Sequence, residues 1–146
     1  MKRSFSTGVL GAIIFLMLQS PVCSQIIGKI YQSDEANQLY GSVLQSKEIN
    51  SSQLTSLLAS TKAYLMFKII NNDLVILGDD RVVLYPAGYK IDDKEVFAVY
   101  SKSLIKELLD NGKQATTTVE QRKDVLSINN GQQTLEFSSW CPPACP

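Results

Sequence analysis

A stretch of three apolar runs and two polar turns at residues 63–85, AYLMFKIINNDLVILGDDRVVLY, most constrains what this chain can fold into. The runs are rich in Val, Ile, Tyr and Phe, which are enriched in strands. Asparagine, aspartate and glycine separate them, as is typical of turns. The stretch therefore predicts three consecutive antiparallel strands. Because residues 63–70 are almost entirely apolar, we expect that strand to be covered on both faces.

Helices are predicted on both sides of this stretch. Residues 52–60 carry leucines at 54, 57 and 58, a helical spacing that gives one apolar face. Residues 102–110 carry apolar side chains at 104, 105, 108 and 109, and Asn111-Gly112 is expected to end that helix. A shorter helix is predicted from Ser33, a suitable N-cap, to Gly41.

Further strands are predicted outside the central stretch. Residues 95–100, 116–121, 125–129 and 133–137 are strand-like, residues 25–31 fit an edge strand or an ordered lead-in, and residues 42–49 fit a strand or a connector. Asn130-Gly131 predicts a hairpin with positive φ at both turn positions. In that hairpin we expect Leu135 and Phe137 to face Leu126 and Ile128.

The element order predicts an α+β domain, with a mainly antiparallel sheet and two to three short helices packed on one face. No helix separates the consecutive strands that follow residue 60 or residue 110, which favours antiparallel pairing. The order also allows two halves, 52–85 and 102–137, each a helix followed by three strands. Each half would then be preceded by a strand, at 42–49 and 95–100.

The amino end has the pattern of a secretory signal peptide over residues 1–24. Lys2 and Arg3 begin it, residues 8–18 are apolar, and small residues follow. We expect cleavage after Ser24 and a periplasmic or secreted protein. Lipid attachment at Cys23 is the alternative, although Val22 suits it poorly. The remainder divides into one domain, 25–138, and a Cys/Pro-rich tail, 139–146.

Charge and composition exclude several classes of function. Removing Lys2 and Arg3 leaves twelve basic and fourteen acidic residues, so the net charge indicates neither a nucleic acid nor an anionic membrane as partner. The chain has no histidine, which excludes Ser-His-Asp and Cys-His catalysis and any histidine-ligated metal. The sequence therefore predicts no catalytic residues, no cofactor, no metal site and no transmembrane anchor in the mature chain.

The tail WCPPACP, residues 140–146, places Cys141 and Cys145 four positions apart. An even cysteine count in an exported protein favours a disulfide. We interpret the pair as a structural disulfide that fixes the carboxyl end, with Trp140 packed against the sheet beside Phe137. A ring this small contributes little to stability, because it removes little loop entropy.

Two other interpretations of the tail remain open. Trp140-Cys141 resembles the start of the thioredoxin-like Trp-Cys-x-x-Cys motif, although here three residues separate the cysteines. Residues 141–146 resemble the Cys-x-x-x-Cys-Pro segment of the Sco-type copper-delivery proteins. That resemblance implies Cu(I) held by two thiolates, but the family's distant histidine and its thioredoxin fold are missing from this sequence. Cys141 and Cys145 are therefore candidates for a thiol redox or Cu(I) site.

The loop after residue 85 is a candidate recognition surface. Tyr85 and Tyr89 flank Pro86-Ala87-Gly88, and aromatic side chains on a loop suit binding to a partner. From these observations we expect an exported, non-enzymatic binding or accessory protein with a protein partner. The alternative is a thiol redox or Cu(I)-handling protein that acts through the tail.

Overall fold

The computed structural model describes residues 25–146, which form ten strands and three α-helices. The helices are α1 (Ser33–Tyr40), α2 (Ser51–Ala59) and α3 (Lys102–Gly112). The strands are β1 (Lys29–Gln32), β2 (Gln45–Asn50), β3 (Tyr64–Ile70), β4 (Asp73–Leu77), β5 (Val83–Tyr85), β6 (Phe97–Ser101), β7 (Thr116–Gln121), β8 (Leu126–Asn130), β9 (Gln133–Glu136) and β10 (Ser139–Cys141). The predicted signal peptide, including Cys23, lies outside the described residues.

The strands form two antiparallel sheets of five strands each. The first has the order β1-β9-β8-β7-β2 and the second the order β10-β6-β3-β4-β5. The predicted α+β class and antiparallel pairing are confirmed. The sequence suggested a single sheet, and the structure differs because each run of three consecutive strands builds a sheet of its own.

The two halves anticipated from the element order exchange a strand. Strand β2 precedes helix α2 but pairs with β7 in the second half, and β6 precedes α3 but pairs with β3 in the first half. The registers are equivalent. Asn50, the last residue of β2, pairs with Thr116 at the start of β7, and Ser101, the last residue of β6, pairs with Tyr64 at the start of β3.

Helices α2 and α3 begin with equivalent hydrogen bonds in the two halves. The amide of Ser51 donates to the carbonyl of Ala115, and the amide of Lys102 donates to the carbonyl of Ala63, both at 2.8 Å. Each helix therefore begins against the strand that the other half contributes. Residues 45–85 and 97–136 consequently form one interlocked unit in which each sheet depends on both halves.

Strand β3 lies at the centre of the second sheet and is covered on both faces, as its apolarity predicted. Leu65 and Phe67 point into the main core, which joins both sheets with α2 and α3. Tyr64 and Met66 point the other way, into a second core. The second core also contains Ile27, Val75, Leu77, Phe97, Val99 and Cys141.

Both tight hairpins predicted by the polar turns form, but one turn is displaced. Asn71 and Asn72 have φ values of 50° and 69° between β3 and β4, as a two-residue hairpin with the native twist requires. In the second hairpin Asn130 is the last residue of β8 and pairs with Gln133, so the turn is Gly131-Gln132. The prediction placed this turn one residue early.

The prediction that Phe137 faces the other strand of the hairpin is wrong. Its backbone has a φ of 65°, and its side chain is 69% exposed, so it does not face Leu126 and Ile128. At this point the chain leaves β9 of the first sheet and crosses to β10 of the second. Leu135, by contrast, pairs with Ile128 and is fully buried, as predicted.

Candidate functional site

The two tail cysteines differ in exposure. Cys141 ends β10, pairs with Phe97 and is completely buried in the second core. Cys145 lies on the surface, and a disulfide joins the two sulfur atoms. Trp140 pairs with Ala98 and remains 38% exposed. The tail is thus attached to the second sheet through strand pairing as well as through Cys141.

Arg81 connects this tail to the loop that precedes β6. Its guanidinium donates to the carbonyl of Cys141 at 3.1 Å and to the carbonyl of Glu95 at 2.8 Å. The same group lies 3.6 Å from the Cys141 Sγ and 5.4 Å from the centre of the Phe97 ring. The guanidinium therefore holds the tail against this loop. The sequence predicts only that Arg81 belongs to a polar turn, and gives no sign of its contact with the tail.

The predicted recognition loop places its two tyrosines against different cores. Tyr85 is half-buried and packs on the main core, whereas Tyr89 is half-buried and packs on the second core. The side chains of Ala87 and Lys90 remain exposed in this loop. The loop therefore offers little aromatic surface, and its role in recognition stays a prediction.

The Asp79 carboxylate binds the main chain of residues 62–64. Its carboxylate accepts hydrogen bonds from the Thr61 hydroxyl and from the amides of Lys62, Ala63 and Tyr64. Burial alone would raise its pKa, but these hydrogen bonds outweigh burial and lower the pKa below its usual value. The carboxylate thus fixes the turn between α2 and β3.

The remaining acidic residues near the loop also have structural partners. Glu95 forms an ion pair with Lys68, and the Asp92 carboxylate accepts the amide of Lys94 at 2.8 Å. Within residues 25–146, no group of three or more Asp, Glu or Cys side chains lies close enough to hold a metal ion. A Cu(I) ion on the reduced tail would therefore have only two thiolate ligands.

A polar cluster lies beneath α1 on the first sheet, and sequence reasoning missed it. Arg122 is 2% exposed and donates to Asn37 of α1 at 2.9 Å and to the carbonyl of Gly41. Its guanidinium also pairs with Glu120 at 2.8 Å and with fully buried Glu136 at 3.5 Å. In the sequence, Arg122-Lys123-Asp124 is typical of a turn, and no local pattern shows that α1 covers Arg122.

Glu136 is held by this cluster in a desolvated position. Burial raises the pKa of its carboxyl group, although the Ser127 hydroxyl and the Arg122 charge oppose that shift. Its Oε2 has no hydrogen-bond partner among the described residues. The arrangement fixes α1 to the sheet.

Two tyrosines close to this cluster titrate above their normal range. Burial and a hydrogen bond to Tyr31 raise the pKa of Tyr40 to about 12. Burial and the charge of Glu136 raise the pKa of Tyr100, whose hydroxyl donates to the carbonyl of Leu126. Both phenols therefore remain protonated and serve as donors.

Three exposed apolar side chains lie close in sequence to the start of β2, which forms one edge of the first sheet. Leu39 lies in the last turn of α1, and Val43 and Leu44 directly precede β2. Leu44 is 69% exposed, although its amide is fixed by the carbonyl of Gln121 at 2.9 Å. Strand β2 pairs with β7 along one edge, and no strand of residues 25–146 pairs with the other edge.

Comparisons with known proteins add no relative. No protein-family model matches the sequence, and neither the curated proteins nor the solved structures give a significant match. In the described part of the chain, no helix is long and apolar enough to cross a membrane. The functional argument therefore rests on the chemistry of the surfaces described above.

Proposed function

We propose that the protein is an exported, non-enzymatic binding or accessory protein of the cell envelope or secreted fraction, with a protein as its partner. The signal-peptide pattern at residues 1–24 and the Cys141–Cys145 disulfide support export. The two buried charged side chains of the described residues, Arg122 and Glu136, are used in structural hydrogen bonds and ion pairs. This structural use supports a non-enzymatic role.

The observation that carries the proposal is the open edge of β2, which the exposed Val43 and Leu44 directly precede in the chain. An open edge offers main-chain donors and acceptors to an added strand. These exposed apolar side chains would lose contact with water when a partner covers them, which favours association. This combination suits a protein partner better than a small polar ligand.

Substituting this surface tests the proposal. We expect the tagged wild-type protein, isolated from the exported fraction after mild cross-linking, to recover a specific protein that the Leu44→Asp variant does not. Val82→Asp serves as the matched control, because Val82 is also exposed but precedes β5 of the other sheet. Equal recovery with Leu44→Asp, or loss with both variants, would refute the assignment of this edge.

The asymmetry of the disulfide favours a second candidate function, thiol redox or Cu(I) handling. An external thiolate could attack the exposed Cys145 Sγ, form a mixed disulfide and release Cys141 as a thiolate beside Arg81. A second external thiol would then release Cys145 and complete the two-electron oxidation of the reductant to its own disulfide. The reduced pair could afterwards hold Cu(I).

Thiol titration separates the two functions. The redox function requires that mild reductant releases two thiols and that Arg81→Gln makes the pair harder to reduce than Arg81→Lys does. The copper function requires stoichiometric Cu(I) uptake by the reduced protein that is lost in Cys141→Ser. A disulfide that resists mild reduction, together with no Cu(I) uptake after full reduction, would eliminate this candidate.

A further inference from the structure

Two adjoining hollows on the surface share the segment Gln25–Ile26. One has a volume of about 590 Å³ and lies between this segment and the carboxyl-terminal tail, with Lys29 in its lining. The other has a volume of about 300 Å³, with lysines 62, 102 and 106 in its lining. No aspartate or glutamate lines either hollow. We call the four lysines, with Gln25 and Ile26, the lysine surface.

The lysine surface contrasts with the charge of the rest of the protein. Residues 25–146 contain twelve basic and fourteen acidic side chains, so four lysines without a lining acid are a local concentration of positive charge. Lys29, Lys62 and Lys106 are exposed to solvent. Lys106 pairs with Asp110, but exposed pairs of this kind contribute little and are readily exchanged.

Two apolar side chains project from the same surface. Ile26 is 71% exposed and forms part of both hollows, and Phe137 is 69% exposed and lines the larger one. They project outward, whereas a groove for a peptide would need its apolar side chains in the floor. Protruding apolar residues surrounded by lysines match the interface of a bilayer, where apolar groups enter and lysines meet phosphates.

The position of this surface along the chain supports the same partner. Six residues separate Leu18, the end of the apolar run at 8–18, from Gln25. Even fully extended, that connection spans at most about 25 Å. Export therefore brings Gln25 close to the bilayer. Cleavage after Ser24 would add a free amino group to the lysine surface, and an acyl chain on Cys23 would hold it there.

We infer that the lysine surface docks the protein on an anionic phospholipid bilayer. Ile26 and Phe137 enter the interfacial region, and the exposed Lys29, Lys62 and Lys106 contact lipid phosphates. The Lys102 Nζ donates to the carbonyl of Thr61 at 2.8 Å and contributes its charge from that position. The net charge of the whole chain does not reveal this surface, because no aspartate or glutamate lines either hollow. The inference concerns a lipid partner and does not depend on the protein partner proposed above.

Vesicle co-sedimentation of the exported protein, with its amino terminus identified by mass spectrometry, tests the inference. We expect binding to phosphatidylglycerol vesicles that weakens as salt increases, and little binding to phosphatidylcholine vesicles. Lys62→Glu/Lys106→Glu should weaken binding about tenfold or more, since each lysine near an anionic surface contributes strongly. Ile26→Ser/Phe137→Ser should weaken binding at every salt concentration.

Charge-matched variants provide the control. Lys90→Glu/Lys123→Glu makes the same charge change at exposed lysines outside both hollows, and its binding should fall less than threefold. An equal loss in both charge variants, equal binding to the two lipids, or no binding at low salt would overturn the inference. Binding to an acidic polypeptide such as polyglutamate but not to vesicles would also overturn it.

Discussion

At the scale of single residues, Asp79 illustrates how a charged side chain can define a turn. Four donors from residues 61–64 surround its carboxylate. Residues 61–64 connect α2 to the central strand β3, and without Asp79 their donors would need other partners. The carboxylate thereby sets the start of β3 in the second sheet.

We predict that Asp79→Asn lowers the free energy of unfolding by about 1–3 kcal/mol at pH 7, because charge-assisted hydrogen bonds are lost. Urea unfolding measures this change. The folded-state pKa of Asp79 is lowered, so its contribution is complete above the unfolded pKa of about 4 and declines as pH falls through the folded pKa. The difference between wild type and variant should therefore shrink in acid.

Asp80→Asn is the matched control for this prediction. Asp80 is the neighbouring acid, but its side chain is exposed. Its substitution should change the free energy of unfolding by less than about 0.5 kcal/mol. Equal effects of the two variants, or a difference that grows below pH 4, would contradict the assigned role of Asp79.

Glu136 should show the opposite pH dependence. Its folded-state pKa is raised, so the folded protein holds that proton more tightly than the unfolded chain. Stability should consequently fall as pH rises from the unfolded pKa of about 4.3 through the folded pKa. Glu136→Gln should remove this dependence, which a series of urea titrations between pH 4 and 7 would measure. A pH-independent difference between the two proteins would contradict it.

Burial could be predicted from the sequence where it depends on local spacing, and could not where it depends on distant parts of the chain. Leu54, Leu58 and Ile105 lie in the core as helical spacing predicted, because that spacing is local. Arg122 and Asn130 are buried by elements that arrive from distant parts of the chain, which no local window records. The Asn130 amide reaches Ser51 and Thr117, and these contacts keep Asn130 in β8 and displace the turn to Gly131-Gln132.

At the scale of elements, the end of helix α3 differs from the usual glycine stop. The sequence suggested that Gly112 ends the helix, but α3 includes Gly112 and the left-handed residue is Lys113, with a φ of 54°. Gly112 has no Cβ, which allows the end of α3 to approach Asn130 closely. A Cβ there would lie 2.0 Å from the Asn130 Oδ1 and 2.4 Å from its main-chain oxygen.

A pair of substitutions follows from this geometry. We predict that Gly112→Ala destabilises the protein by about 1–3 kcal/mol, because backbone on both sides must shift. Lys113→Gly should instead stabilise it by about 0.5–1 kcal/mol, since glycine adopts positive φ without strain. Thermal unfolding of both variants measures these effects. A stabilising Gly112→Ala would contradict the packing that the structure shows.

Element positions were largely predictable, whereas their partners were not. Helix α2, helix α3 and strand β7 lie within two residues of their predicted bounds, because periodicity and turn residues are local signals. The pairing of β2 with β7 and of β6 with β3 depends on long-range contacts. For the same reason, the Arg81 contacts with the tail could not be predicted.

At the scale of the whole molecule, the exchange of β2 and β6 makes each sheet depend on both halves. We predict that fragments 25–90 and 91–146 are each unfolded in isolation, because each lacks a strand of the sheets that it helps to build. An equimolar mixture should regain the circular dichroism spectrum of the intact chain. Either fragment folding alone would refute this interdependence.

A nicked protein is the control for the fragment experiment. The chain carries an inserted protease site after the exposed Lys90 and is cut after folding. The two pieces should remain associated and keep the spectrum of the intact chain, since every strand pair is already formed. Dissociation upon cutting would show that the loop connection, and not the strand exchange, holds the halves together.

Photo-crosslinking at position 44 can show whether the open edge of β2 binds a protein partner, as we propose. A photoreactive amino acid replaces Leu44 in one variant and Val82 in another, and both are illuminated in the exporting cell. We predict a discrete crosslinked partner from position 44 and none from position 82. No crosslink at position 44, or the same products from both positions, would show that this edge does not bind a specific partner.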